Sequence, residues 1–159
     1  MANIRKDQTN LEKLRRKKGL TRQALADATA LTWAKLRAYE VKKSNIKNLP
    51  LKHAIVISDI LECDIQDLLE EVPDIIPIED QYDVVVPITR KDPIQLEKLR
   101  CQKGVTRKKL AEITGISYPA LQIYEQKRRK IDSITLWNGL LISKALGCEP
   151  WELLDECPY

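Results

Sequence analysis

The residues equipped for acid–base or covalent chemistry are few, and their spacing does not assemble them. His53 is the one imidazole, and Ser58, the hydroxyl downstream of it, lies five positions on. That is off the i, i+3/i+4 spacing that brings helical side chains together. No aspartate is placed to orient a histidine base, so a nucleophilic triad is not expected. The four cysteines, at 63, 101, 148 and 157, form no CxxC pair. The opening MANIRKDQTN lacks the apolar run of a secretory segment, so the thiols are expected to be reduced and mostly core filler. There is no Gly-rich phosphate loop and no ligand cluster for a metal. An enzyme is not expected, and neither is a cofactor.

Charge is what the chain carries in quantity. The net charge is only +4, but it is segregated. Residues 1–52 hold 14 Lys/Arg against 4 Asp/Glu, a net of +10. Residues 53–71 hold none against 6, or −6, and residues 72–93 hold 2 against 5, or −3. The pattern then repeats, with 10 against 3 over 94–130 (+7) and 1 against 5 over 131–159 (−4). A duplex presents one phosphate per roughly 1.7 Å of axis, and a segregated basic face is what sequence-independent affinity for it requires. A solvated, salt-bridged helix face would account for either basic segment alone. The recurrence favours nucleic acid.

The elements that must position these charges come in two copies. A shift of 85 positions lays LEKLRRKKGLTRQALADAT (11–29) on LEKLRCQKGVTRKKLAEIT (96–114). The match runs ungapped to residue 71, with 25 of 61 paired positions identical. Each copy has about 60 residues, near the lower limit for an independent domain. The expected division is a first domain over 1–71, a linker over 72–93 and a second domain over 94–159. Four prolines (Pro73, Pro77, Pro87, Pro93) bar a helix from the linker. Ile75–Ile76 and Val84–Val86 leave two options there, a stiff extended spacer or a small paired-strand element.

Five short helices are expected per copy, an all-α fold. In the first copy they run over about 9–18, with Leu11 and Leu14 inward and Gly19 as C-cap. Next come about 22–29, capped by Thr21 and burying Leu25 and Ala28, and about 33–40, capped by Thr32 and burying Leu36 and Tyr39. A fourth is capped by Asn48, carries Pro50 in its first turn and ends at Leu61. A fifth starts at Asp64, with Asp67 three residues on. In the second copy Thr106, Ser117 and Ser133 serve as caps, and Pro150 opens the last helix. Two short helices joined by a tight turn, the second starting at Ser/Thr, form a helix-turn-helix pattern.

The segments LRRKKGLTRQALADATALTWAKLRAYE and LRCQKGVTRKKLAEITGISYPALQIYE, with the closing ALGCEPWELL, resemble the phage repressor/Cro type of helix-turn-helix domain. About 120 of the 159 residues are covered. The resemblance implies that the second helix of each copy lies across phosphates and the third enters the major groove. It implies structural pairs Arg15–Glu40 and Arg100–Glu125. It assigns phosphate contacts to Arg22 and Arg107 and to the caps Thr32 and Ser117. Lys42 and Lys43, with Lys127, Arg128, Arg129 and Lys130, follow the recognition helices and are expected to clamp the backbone. Base contacts are expected from Trp33, Ala34, Lys35, Arg37 and Ala38, then Tyr118, Pro119, Ala120, Gln122 and Ile123.

The chain departs from that family at several points. Few of these readers are polar, so contacts with thymine methyls and A·T-containing sites are expected. Exposed Trp33 and Tyr118 fit base contact, a protein-binding surface or rings folded back on their own domains. Lys42 and Lys127 stand where glycine is usual, and Ala30 replaces the turn glycine present as Gly115. Trp137 and Trp151 face Lys52 and Gln66 in the repeat alignment, so the second copy is expected to bury something extra: the linker, the other copy or a second chain.

The expectation is a sequence-specific regulator of transcription, with repression as its sign, working as a covalent pseudo-dimer on double-stranded DNA. Its setting would be the cytoplasm of a bacterial or phage-infected cell, with no membrane association. A homodimer, or a protein partner at the linker or aromatics, stays open. The alternative is a protein-interaction or inhibitor module, for example against a host defence nuclease, that keeps the fold.

Overall fold

A computed structural model describes residues 7–78 and 85–156. Among them the chain is all helical. The first copy contributes α1 (Asn10–Lys17), α2 (Arg22–Thr29), α3 (Trp33–Glu40) and α4 (Leu51–Leu61), and the second α5 (Gln95–Gln102), α6 (Arg107–Thr114), α7 (Tyr118–Glu125) and α8 (Leu136–Leu146). Each copy adds two 3₁₀ turns, Ile46–Asn48 and Ile65–Leu68 in the first, Ile131–Ser133 and Pro150–Leu153 in the second.

The local caps work as their residue types require. Thr9, Thr21, Thr32, Thr106 and Ser117 each accept a hydrogen bond from the backbone N–H three residues on. Gly19 takes a left-handed φ of +73° one residue beyond Lys18, which is the C-cap of α1. The expected fifth helix is a single 3₁₀ turn in each copy. Capping boxes close both turns, Asp64 with Asp67 and Glu149 with Glu152.

Two expectations are corrected here. Asn48 and Ser133 do not cap α4 and α8; they end the preceding 3₁₀ turns, and α4 begins after Pro50 while Thr135 caps α8. The cause is long-range. Residues 49–50 and 134–135 are extended because they pair with each other in an antiparallel bridge, Pro50 to Thr135. Ala28 is exposed, and α2 buries Leu25, Ala26 and Thr29 instead. The Thr29 hydroxyl satisfies itself on the Leu25 carbonyl at 2.8 Å.

That bridge joins the copies about a local twofold relation. The Leu51 N–H donates to the Ile134 carbonyl at 2.7 Å, and the Leu136 N–H to the Leu49 carbonyl at 2.7 Å. Residues 49, 50 and 51 are the repeat counterparts of 134, 135 and 136, so each copy offers the other the same atoms. Around the bridge α4 packs on α8, and the buried side chains of both copies form one continuous hydrophobic cluster.

The linker follows the second copy. Ile78 is buried and its N–H donates to the Ala145 carbonyl at 2.8 Å, while Lys144 Nζ reaches the Pro73 carbonyl at 3.0 Å. Ile75 packs against the core, whereas Ile76 and Val85 are exposed. No strand forms among the described linker residues, and Val84 lies outside them.

Gly139, inside α8, marks how close the copies come. A Cβ there would sit 2.8 Å from Leu51 Cδ2, and Leu51 is fully buried. A helix-interior glycine normally costs about 1 kcal/mol relative to alanine, so its presence here reflects the close approach. Gly139→Ala is therefore expected to destabilise by about 1–3 kcal/mol through overpacking, seen as a lowered melting temperature. A raised one would contradict the tight contact.

Candidate nucleic-acid interface

Each copy is organised around one buried glutamate at the end of its third helix. Glu40 accepts Arg15 Nε at 2.5 Å and Nη2 at 3.2 Å, and Arg15 Nη1 also donates to the Leu20 carbonyl at 2.5 Å. Glu125 accepts Arg100 Nε at 2.8 Å and Nη2 at 3.1 Å, and Arg100 Nη1 donates to the Val105 carbonyl at 2.7 Å. These ties bind the first helix to the third in both copies. With every guanidinium nitrogen of Arg15 and Arg100 donating, the burial of the charges is compensated.

The same carboxylates hold a second arginine. Arg22 Nε donates to Glu40 Oε2 at 2.7 Å, and Arg107 donates to Glu125 Oε2 from Nε at 2.8 Å and from Nη2 at 2.5 Å. Arg22 and Arg107 are thus held in place by the glutamate that also anchors the first helix. Two guanidinium groups on one carboxylate leave a net positive charge fixed beside the recognition helix. Sequence reasoning missed this bond, although an Arg–Glu pair eighteen residues apart recurs in both copies.

The aromatic residues join this arrangement. The half-exposed ring of Trp33 has the Arg22 and Arg37 guanidinium carbons 5.7 and 5.5 Å from its centroid. Tyr118 lies under Arg107 at 5.4 Å, and its hydroxyl accepts from Arg107 Nη1 at 3.0 Å. Both rings are held by arginines of their own copy and remain partly exposed. Ala34, Lys35 and Arg37 are exposed on α3, and Pro119 and Ile123 on α7, while Ala38, Ala120 and Gln122 are half-buried. Thr32 and Ser117 are exposed caps.

Lys42 and Lys127 follow the recognition helices with left-handed φ of 59° and 55°, a conformation that costs a side-chain-bearing residue about 1–2 kcal/mol. Each is drawn to an aspartate, Lys42 to Asp7 at 2.7 Å and Lys127 to Asp92. The lysine hydrogen bond holds each aspartate below its ordinary pKa. These contacts were also missed, yet the signal was present: RKD at 5–7 matches RKD at 90–92 in the same 85-residue shift. Lys43, Arg128, Arg129 and Lys130 are exposed. Arg90, at the linker end, donates to the Glu125 carbonyl and closes the C-terminus of α7.

The histidine and the described cysteines are half-buried. His53 Nδ1 lies 3.2 Å from the Thr29 carbonyl, and burial lowers its pKa. Cys63, Cys101 and Cys148 are free thiols, and burial together with acidic neighbours pushes Cys63 to about 11 and Cys148 to about 12. Cys157 lies outside the described residues. Among the described residues no group of His, Cys, Asp and Glu could hold a metal, and no helix is long and apolar enough to cross a membrane.

Trp137 meets the first copy, with Lys47 Nζ 4.0 Å from its ring centroid, whereas Trp151 stays exposed. Among the described residues, the buried Glu97 Oε2 accepts no hydrogen bond. Its counterpart Glu12 is paired with Arg16 at 2.7 Å, and the second copy has Cys101 where the first has Arg16.

Fold and charge arrangement together define a pair of helix-turn-helix units in one chain. Residues 10–74 match the family described as Cro/C1-type HTH DNA-binding domain, and residues 96–153 match the helix-turn-helix family. The chain is a tandem Cro-type helix-turn-helix protein, and its domains are those of a DNA-binding regulator. Comparison with curated proteins and with solved structures gives no match.

Two expectations follow from the geometry. Arg22→Ala should lower stability by about 1–2 kcal/mol, because it removes a charge-assisted bond to a buried carboxylate, whereas Lys43→Ala should stay within about 0.5 kcal/mol. Equal effects in urea unfolding would contradict the shared-glutamate arrangement. Cys101→Arg should raise stability by about 1 kcal/mol by giving Glu97 the partner that Glu12 has; an unchanged or lowered unfolding midpoint would show that the orphaned oxygen costs nothing.

Proposed function

We propose that this protein is a sequence-specific regulator of transcription that binds double-stranded DNA with both units of one chain, as a covalent pseudo-dimer on two dissimilar half-sites. The observation that carries this reading is the reciprocal backbone pairing of residues 49–51 with 134–136, which couples two basic units about a local twofold. Dimeric relatives of the motif meet half-sites about 34 Å apart through such symmetry. Here one chain supplies both heads, and the second contact becomes intramolecular.

The two heads are not identical readers. Arg37 stands opposite Gln122 in the repeat alignment, and Lys35 opposite Ala120. Arginine suits guanine and glutamine suits adenine. Trp33, Ala34 and Ile123 favour thymine methyls, so the half-sites should differ and contain A·T pairs. Lys43, Arg128, Arg129 and Lys130 supply phosphate contacts that set affinity without sequence. Repression follows from occupancy, since a protein spanning two half-sites at a promoter excludes polymerase.

Gel-shift competition on the DNA upstream of the chain's own gene, over a salt series, tests this. A preferred duplex should outcompete bulk DNA, with affinity falling steeply as salt rises. Arg129→Ala should weaken all sequences alike, while Arg37→Ala and Gln122→Ala should relax preference at particular positions by about 1–3 kcal/mol each. If no sequence outcompetes bulk DNA at low salt, the regulator reading is lost.

A further inference from the structure

The backbone treats the two copies as equals at their interface, but the side chains do not. The two inter-copy hydrogen bonds are interchangeable under the repeat relation, so nothing in them would stop a first copy from pairing with another first copy. Three side-chain contacts beside them break that equality.

Lys52 Nζ lies 3.8 Å from Asp132 Oδ2 across the interface. The repeat-equivalent contact on the other side of the bridge joins Lys47 to Trp137, ammonium over ring at 4.0 Å. Positions 47 and 132 are counterparts, as are 52 and 137. The first copy therefore presents two lysines, the second a carboxylate and an indole. The third contact is steric. Gly139 admits Leu51 where a Cβ would come within 2.8 Å, and the counterpart of Gly139 in the first copy is Ala54.

We propose that this interface is heterotypic by construction: the first copy's face fits the second copy's face and not another of its own kind, so one chain is the complete unit. Two first copies would set Lys47 against Lys52 on both sides of the bridge and bring the Ala54 Cβ to Leu51. Glu71, 3.0 Å from Lys47 within its own copy, would temper the repulsion but could not replace Asp132 or Trp137. Two second copies would set Asp132 against the face of Trp137, a negative charge on a negative π-face. Like pairs thus lose both native contacts and gain unfavourable ones. Each contact of this exposed type shifts an equilibrium by about two- to fivefold. Two of them together give about four- to twenty-five-fold discrimination against either like pair, and the steric term adds to this for two first copies only. Chains then do not assemble through like repeats, and a bound chain has one polarity on its DNA. Only the polarity rests on the regulator reading.

The full chain tests the pairing rule without DNA. A protease site is inserted within residues 79–84, the folded chain is cleaved, and the halves are weighed by native mass spectrometry. The expected result is a complex of one first half with one second half. Like pairs, or halves that separate freely, would overturn the proposal. Asp132→Lys with Trp137→Lys gives the second copy the first copy's charges and should weaken the mixed pair by about four- to twenty-five-fold. Adding Lys47→Asp and Lys52→Trp should restore it. In the uncleaved chain the same sets should lower and then recover the melting temperature; insensitivity of both readouts would overturn the proposal. Because neither readout involves DNA, failure of the regulator reading would be seen separately.

Discussion

Two backbone hydrogen bonds, from Leu51 to Ile134 and from Leu136 to Leu49, set the arrangement of everything else in this protein. They hold the extended residues that precede α4 and α8, and so decide where those helices begin. They bring α4 onto α8 and merge two small cores, each near the lower size limit for independent folding, into one cluster. A unit of about 60 residues gains from such sharing much as a subunit gains from an obligate partner. Here the partner is supplied by the same chain.

Within each unit a second constraint acts. Glu40 and Glu125 are buried carboxylates that each satisfy two arginines, one from the first helix and one from the start of the second. The site is therefore continuous with the framework: the charge beside the recognition helix is fixed by the residue that anchors that helix. Trp33 and Tyr118 extend the arrangement outward, because the arginines that bind the glutamates also lie over their rings. Rigid placement of this kind reduces the ordering cost of binding.

Short-range signals in the sequence proved faithful. The hydroxyl caps at Thr21 and Thr32 locate α2 and α3, because a cap acts within three residues of where it is written. Long-range consequences were not legible. Asn48 and Ser133 look like caps, but the bridge between copies delays the next helix. The bond from Arg22 to Glu40 was not legible either, because nothing local reveals that a buried glutamate eighteen residues on has an oxygen to share. Trp137 signalled that the second copy contacts something extra, and the signal could not name Lys47. The helix-turn-helix elements and the basic polarity were open to reading; the way one copy completes the other required the fold.

The central claim is that one chain presents both heads to one stretch of DNA. Hydroxyl-radical footprinting of a complex whose mass has been measured tests it most directly. One chain per duplex and two protected patches of different sequence on the same face, about 34 Å apart, are expected. Two chains per duplex, or a single patch covered by one head, would contradict it.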